Sequence, residues 1–131
     1  MKDQRAPVLT SGDAHNEAMS LPMERVVESL VELLGAPTVA ALGGVQETRA
    51  VQQWIAGTRQ PQRPNVLRFA LQMALMISTV ASRELARAWF HGSNPQLHDL
   101  TPLTVLRDQP LEPAQVSLMI AARSFASRNG A

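Results

Sequence analysis

PTVAALGGVQETRAVQQWIAG, residues 37–57, carries two helical patterns on either side of a glycine pair. Pro37 is tolerated in a first turn, so it opens a short helix through Val39, Ala40, Ala41 and Leu42. Gly43-Gly44 stops that helix, because glycine reaches positive φ at no steric cost. From about Gln46 to Ala56 a second helix puts Val51, Trp54 and Ile55 on one side and Thr48, Arg49, Gln52 and Gln53 on the other. Gly57 takes the C-terminal stop position.

Upstream, Met23, Val26, Val27, Leu30, Leu33 and Leu34 recur at helical spacing, with Ser20 as the expected cap, Pro22 in the first turn and Gly35 as the stop. The other face, Glu24, Arg25, Glu28 and Glu32, reads as a solvated stripe. Residues 1–19 show no sustained period and are expected to be a mobile arm, with His15 solvated. Downstream of the loop 58–64, Asn65 is the expected cap of one long helix reaching Phe90, roughly 37 Å at 1.5 Å per residue. Its first half is apolar nearly all round and needs cover on several sides.

Gly92 ends that helix and Ser93-Asn94-Pro95 makes a loop. Thr101-Pro102 caps a short helix to Arg107. Pro113 opens a last amphipathic helix bearing Val116, Met119, Ile120, Ala122 and Phe125, before a polar tail from Ser127. Val and Ile fall on helical rather than alternating periods throughout, so the expected class is all-α. The expected architecture is an N-terminal helix-turn-helix bundle, residues 20–64, joined by the long central helix to a small C-terminal helical domain within residues 65–131.

The chain has 131 residues, 45% hydrophobic, with no Cys, which fits one compact domain's worth of core and excludes a disulfide framework and thiolate metal sites. The N-terminal stretch lacks the apolar core of a secretory signal, and the most apolar stretch is interrupted by Arg68, Gln72, Arg83, Glu84 and Arg87, so a cytoplasmic location is expected. Net charge is +1, unevenly divided: residues 1–45 carry three basic and six acidic side chains, whereas residues 46–70 carry four Arg and one Glu. Eleven of the twelve basic residues are Arg, which reflects either a GC-rich genome or a need for the planar guanidinium fork.

The exposed set Thr48, Arg49, Gln52 and Gln53 suits the edges of DNA bases. Arg can fork onto guanine O6 and N7, Gln onto adenine N6 and N7, and Thr can meet a thymine methyl. In a helix-turn-helix these four are the expected base readers, and Arg59 and Arg63 on the following loop the expected phosphate contacts. An ordinary polar helix face would have the same composition.

VQQWIAGTRQPQRPN, residues 51–65, resembles the end of the helix-turn-helix in Xre-type antitoxins, with Trp54, Gly57 and Pro61 in the family's order. AWFHGSNPQLHDLTPLTVLRD, residues 88–108, resembles the core of the Xre/MbcA/ParS toxin-binding domain at Trp89, Asn94, Pro95, Leu97, Pro102, Leu103 and Leu106. The likeness spans about residues 23–127 and departs where many members have a Gly before the last helix and this chain has Leu111-Glu112-Pro113. It implies an antitoxin of a type II toxin–antitoxin system that covers the active site of an NAD-consuming RES-domain toxin and represses its own operon. It also makes Asn94, Pro95, Leu97, Leu103 and Leu106 the expected toxin-binding block. Read as residues alone, the leucines are core and Asn94-Pro95 is a turn. Arg128 in the tail is a group that can pair with an anionic site on a toxin.

The enzyme reading finds little support: no Cys nucleophile, no G-x-S-x-G and no Walker-type loop. His91, His98 and Asp99 lack a further ligand and a recognisable metal spacing. No cofactor and no metal are expected. The partners expected are operator DNA, a cognate toxin and a second copy of the chain. Two other readings stay open: a solitary regulator whose C-terminal part only dimerises, and an interaction protein that has lost DNA binding.

Overall fold

Most of the described helices are short enough to depend on their neighbours, since isolated helices of fewer than about 12–15 residues are marginal in water. The computed structural model describes residues 11–130. Eight α-helices occur among them: α1 Ser11–Ser20, α2 Met23–Leu34, α3 Ala36–Leu42, α4 Thr48–Ala56, α5 Pro64–Val80, α6 Arg83–His91, α7 Pro102–Asp108 and α8 Leu111–Asn129, with a 3₁₀ turn at Pro95–Leu97. The described residues contain no strand, so the all-α expectation holds. No described helix is long and apolar enough to cross a membrane.

Helix α5 is the centre. Val66, Leu67, Phe69, Ala70, Leu71, Met73, Ala74, Met76 and Ile77 are all buried, covered by α1, α2, α6 and α8 on different sides. On α2 the apolar positions Val26, Val27, Leu30 and Leu34 face inward, while Arg25, Glu28 and Glu32 stay exposed. Gly35, at φ 88°, both ends α2 and starts α3, its carbonyl accepting from the Val39 N–H at 3.2 Å. A left-handed residue lets two helices share one junction with no linker.

Several expectations are corrected. Residues 1–10 of the expected arm lie outside the described residues, but residues 11–19 belong to α1, whose Ala14 and Ala18 are fully buried against α5. Two alanines one turn apart allow close helix approach yet leave almost no hydrophobic signal in the sequence. Ser20 accordingly ends α1 rather than capping α2, which starts after Pro22. His15 is exposed but not free of partners, its Nδ1 lying 3.2 Å from Oε1 of the buried Gln72.

The 65–90 helix is also not continuous. It breaks at Ala81, and Ser82 caps α6 by accepting from the Leu85 N–H at 3.0 Å. Glu84 in the first turn of α6 further favours a new N-terminus there. The break folds α6 back against α5 and places Trp89 and Phe90 in the core, edge to face at 4.9 Å. A single buried cluster runs from Ala14 to Ala126 and includes residues on both sides of positions 64–65. Finally, the expected polar tail is helical through Asn129.

Four arginines finish helices that cannot cap themselves. The last carbonyls of a helix have no partner within it. Arg68 donates to the carbonyls of Ala18 at 2.9 Å, in the last turn of α1, and Leu21 at 2.7 Å, just beyond it. Arg83 and Arg87 reach the carbonyls of Glu32 and Leu33 in the last turn of α2, at 3.2 and 3.3 Å. Arg63 joins the ends of α3 and α7, as described below. A cation at the negative end of a helix dipole adds to each hydrogen bond.

Candidate nucleic-acid interface

Inward-facing Ala50, Val51 and Trp54 hold α4 against α2 and α3, and this fixes which way its polar residues point. Thr48, Arg49 and Gln52 are exposed; Gln53 is half-buried. Residues 43–47 connect α3 to α4, with Gly44 at φ 80°. Gly43 has an ordinary φ and is needed for a different reason: a Cβ placed there would overlap the indole ring of Trp54. The turn residue and the tryptophan thus fit together as a pair.

At the other end, Gly57 in the left-handed region directs the chain back so that the Thr58 N–H meets the Gln53 carbonyl at 3.1 Å. This brings Arg59 beside α4, where its Nη1 donates to Oε1 of Gln53 at 3.3 Å. Arg49, Gln53 and Arg59 with Val45, Gln46 and Glu47 border an open concavity of about 520 Å³. Two exposed guanidinium groups and one carboxylate leave it locally cationic. Glu47 occupies the N-cap of α4 without a side-chain cap bond, where a carboxylate is favoured by the helix dipole and where an incoming phosphate would meet it.

Arg63 does not belong to this surface. Its Nη2 donates to the Leu106 carbonyl at 2.9 Å and its Nη1 to the Leu42 carbonyl at 3.4 Å, and the residue is half-buried. At this expected phosphate contact, two of the five N–H donors thus tie α3 to α7. Of the four arginines in the basic segment, Arg49 and Arg59 remain on the concave face.

The C-terminal block is likewise divided. Leu97 and Leu106 are buried in the core, and Asn94 is buried as the organiser of a closed loop, so these three are not available to a toxin in this conformation. Asn94 Oδ1 accepts from the Gln96 N–H at 2.9 Å, its carbonyl accepts from Leu97 and Asp99, and its N–H donates to the Leu100 carbonyl at 3.1 Å. The loop needs His98 and Asp99 in the left-handed region, at φ 56° and 66°. Asn94→Ala is expected to cost about 1–3 kcal/mol in urea unfolding, because one side-chain acceptor serves a half-buried N–H; Asn94→Asp, which keeps the acceptor, is expected to lose less. Pro95 and Arg128 are exposed and Leu103 is half-buried.

His91 Nε2 lies 3.1 Å from the Thr38 hydroxyl, and no group of three or more His, Cys, Asp or Glu side chains converges among the described residues. At the end of α7, Arg107 forks onto Asp108 at 2.8 and 2.9 Å; these hydrogen bonds hold the Asp108 carboxyl below the usual carboxylate range. Sequence reasoning missed one surface. Val116 and Ile120, expected with Met119, Ala122 and Phe125 on the buried face of the last helix, are 67% and 52% exposed. Helix α8 has a second apolar stripe, Ala114, Leu118, Ala121, Ala122 and Ala126, and that one faces the core. An apolar arc wider than a single face was the available signal.

Compared with family models, with curated proteins and with solved structures, the chain matches none.

Proposed function

We propose that this protein is a DNA-binding regulator of the helix-turn-helix kind, in which α4 enters the major groove. The observation that carries the reading is the α4 face: Thr48, Arg49 and Gln52 point outward from a helix whose opposite side is locked by Trp54, with Arg59 alongside. These are the side chains that can read base edges, flanked by a cation that can reach phosphate. Because the Gln53 amide oxygen already accepts from Arg59, Arg49 and Gln52 are the principal readers.

The sequence resemblance extends the proposal to an antitoxin that represses its own operon and neutralises a RES-domain toxin. Pro95, Leu103 and Arg128 are the members of the expected toxin-binding set with accessible surface. The solitary regulator is the competing reading, and it shares the DNA-binding half.

Titration of the full chain against its own promoter DNA tests the shared half. Arg49→Ala is expected to weaken specific binding by about 1–3 kcal/mol while changing non-specific binding little. Arg59→Ala is expected to weaken binding to all sequences and to lower the salt slope by about 1. Unchanged affinity in both variants would overturn the assignment. Co-expression with the product of the adjacent reading frame separates the two roles: rescue of growth and of cellular NAD supports the antitoxin, and a harmless neighbour supports the solitary regulator.

A further inference from the structure

The outward face of α8 is built as a palindrome. Glu112, Gln115, Val116, Met119, Ile120 and Arg123 line one shallow apolar groove, at the i, i+3, i+4, i+7, i+8, i+11 spacing of a single helix face. Those positions are symmetric about the midpoint between Ser117 and Leu118. Reversing the helix therefore lays Glu112 on Arg123, Gln115 on Ile120 and Val116 on Met119. The ends carry opposite charges, and the middle is apolar. Glu112 and Arg123 are both exposed and enter no ion pair among the described residues.

We propose that α8 packs against α8 of a second copy of this chain, antiparallel about a two-fold axis at residues 117–118. In that arrangement Val116 and Ile120, otherwise left in water, cover one another with Met119, and each Glu112 meets Arg123 of the second copy, so two charge pairs close the ends of one apolar seam. A two-fold interface requires one self-complementary patch, which this stripe is. The charges also specify direction, since a parallel pairing would set Glu112 against Glu112 and Arg123 against Arg123. The seam is one helix wide and smaller than the roughly 800 Å² per partner of a standard interface, so a reversible dimer with a dissociation constant on the order of tens of micromolar is expected. The inference stands on α8 alone and does not depend on the reading of α4.

Sedimentation equilibrium of the full chain from about 1 to 500 μM tests it, with circular dichroism as the folding control. Wild type is expected to pass from monomer to dimer across that range. Val116→Asp/Ile120→Asp, which alters only exposed positions, is expected to stay monomeric with unchanged helicity. Glu112→Arg and Arg123→Glu each create two like-charge contacts and are expected to weaken the homodimer about tenfold or more. An equimolar mixture of those two variants restores both opposite-charge pairs and is expected to dimerise as wild type does. A wild-type chain that stays monomeric throughout, a dimer indifferent to the double Asp variant, or charge variants that fail to rescue each other would each overturn the proposal.

Discussion

Trp54→Ala is expected to destabilise the protein by about 3–5 kcal/mol, a large part of the 5–15 kcal/mol that separates folded from unfolded states in a typical domain. Trp54 is 2% exposed and fills the space among α2, α3 and α4. Truncation leaves a cavity that rigid helix ends cannot close, and the three helices then lose the contact that orients α4. Gly43 supplies an independent check on the same fit. Its missing Cβ is the space the indole occupies, so Gly43→Ala is expected to destabilise by overpacking, and the penalty should shrink when Trp54 is replaced by Leu. Urea unfolding of the two single variants and the double gives the coupling; additive effects would show that ring and glycine do not share that space. Because the Trp54 N–H has no partner among the described residues, the loss belongs to packing rather than to a hydrogen bond.

The elements legible from sequence were those with strong periodicity and glycine punctuation. Helix α2 has four large buried apolar residues at helical spacing and a left-handed glycine after it, and α3 and α4 are separated by a glycine pair. Helix α1 was illegible because its buried face consists of two alanines. The break between α5 and α6 was hidden by apolar continuity, although Ser82 followed by Glu84 is an adequate start signal when read for caps rather than for period.

Side-chain roles were harder to read for a physical reason. Arg63, Arg68, Arg83 and Arg87 bond to carbonyls that lie 21 to 54 residues away in the chain, so nothing local distinguishes them from surface arginines. Of the two explanations for an Arg-rich composition, the fork geometry has a demonstrable use here: a guanidinium can bond two or three carbonyls from different segments, where an ammonium on a flexible stem holds no fixed geometry. The proposed DNA face was legible for the opposite reason, because Arg49 and Gln52 face solvent and their exposure follows from helical spacing alone.

Arg63 gives the sharpest separation of a structural from a DNA-binding role. Arg63→Gln removes a charge-assisted pair of hydrogen bonds to the Leu42 and Leu106 carbonyls and leaves two helix ends without their cation. Such bonds contribute about 1.5–3 kcal/mol each, reduced here because the residue is only half-buried and the 3.4 Å contact is long, so a total loss of about 2–3 kcal/mol is expected. Arg63→Lys is expected to recover less than half, since one ammonium cannot span both carbonyls with the same geometry. A phosphate contact makes the reverse prediction: stability nearly unchanged and a salt slope for DNA binding lower by about 1. Measuring unfolding and the salt dependence of binding on the same Arg63→Gln sample, at a temperature where it is fully folded, decides between them. Loss of stability with an unchanged salt slope is the outcome the α3–α7 tie requires, because a guanidinium anchored on the Leu106 and Leu42 carbonyls is held at the helix junction.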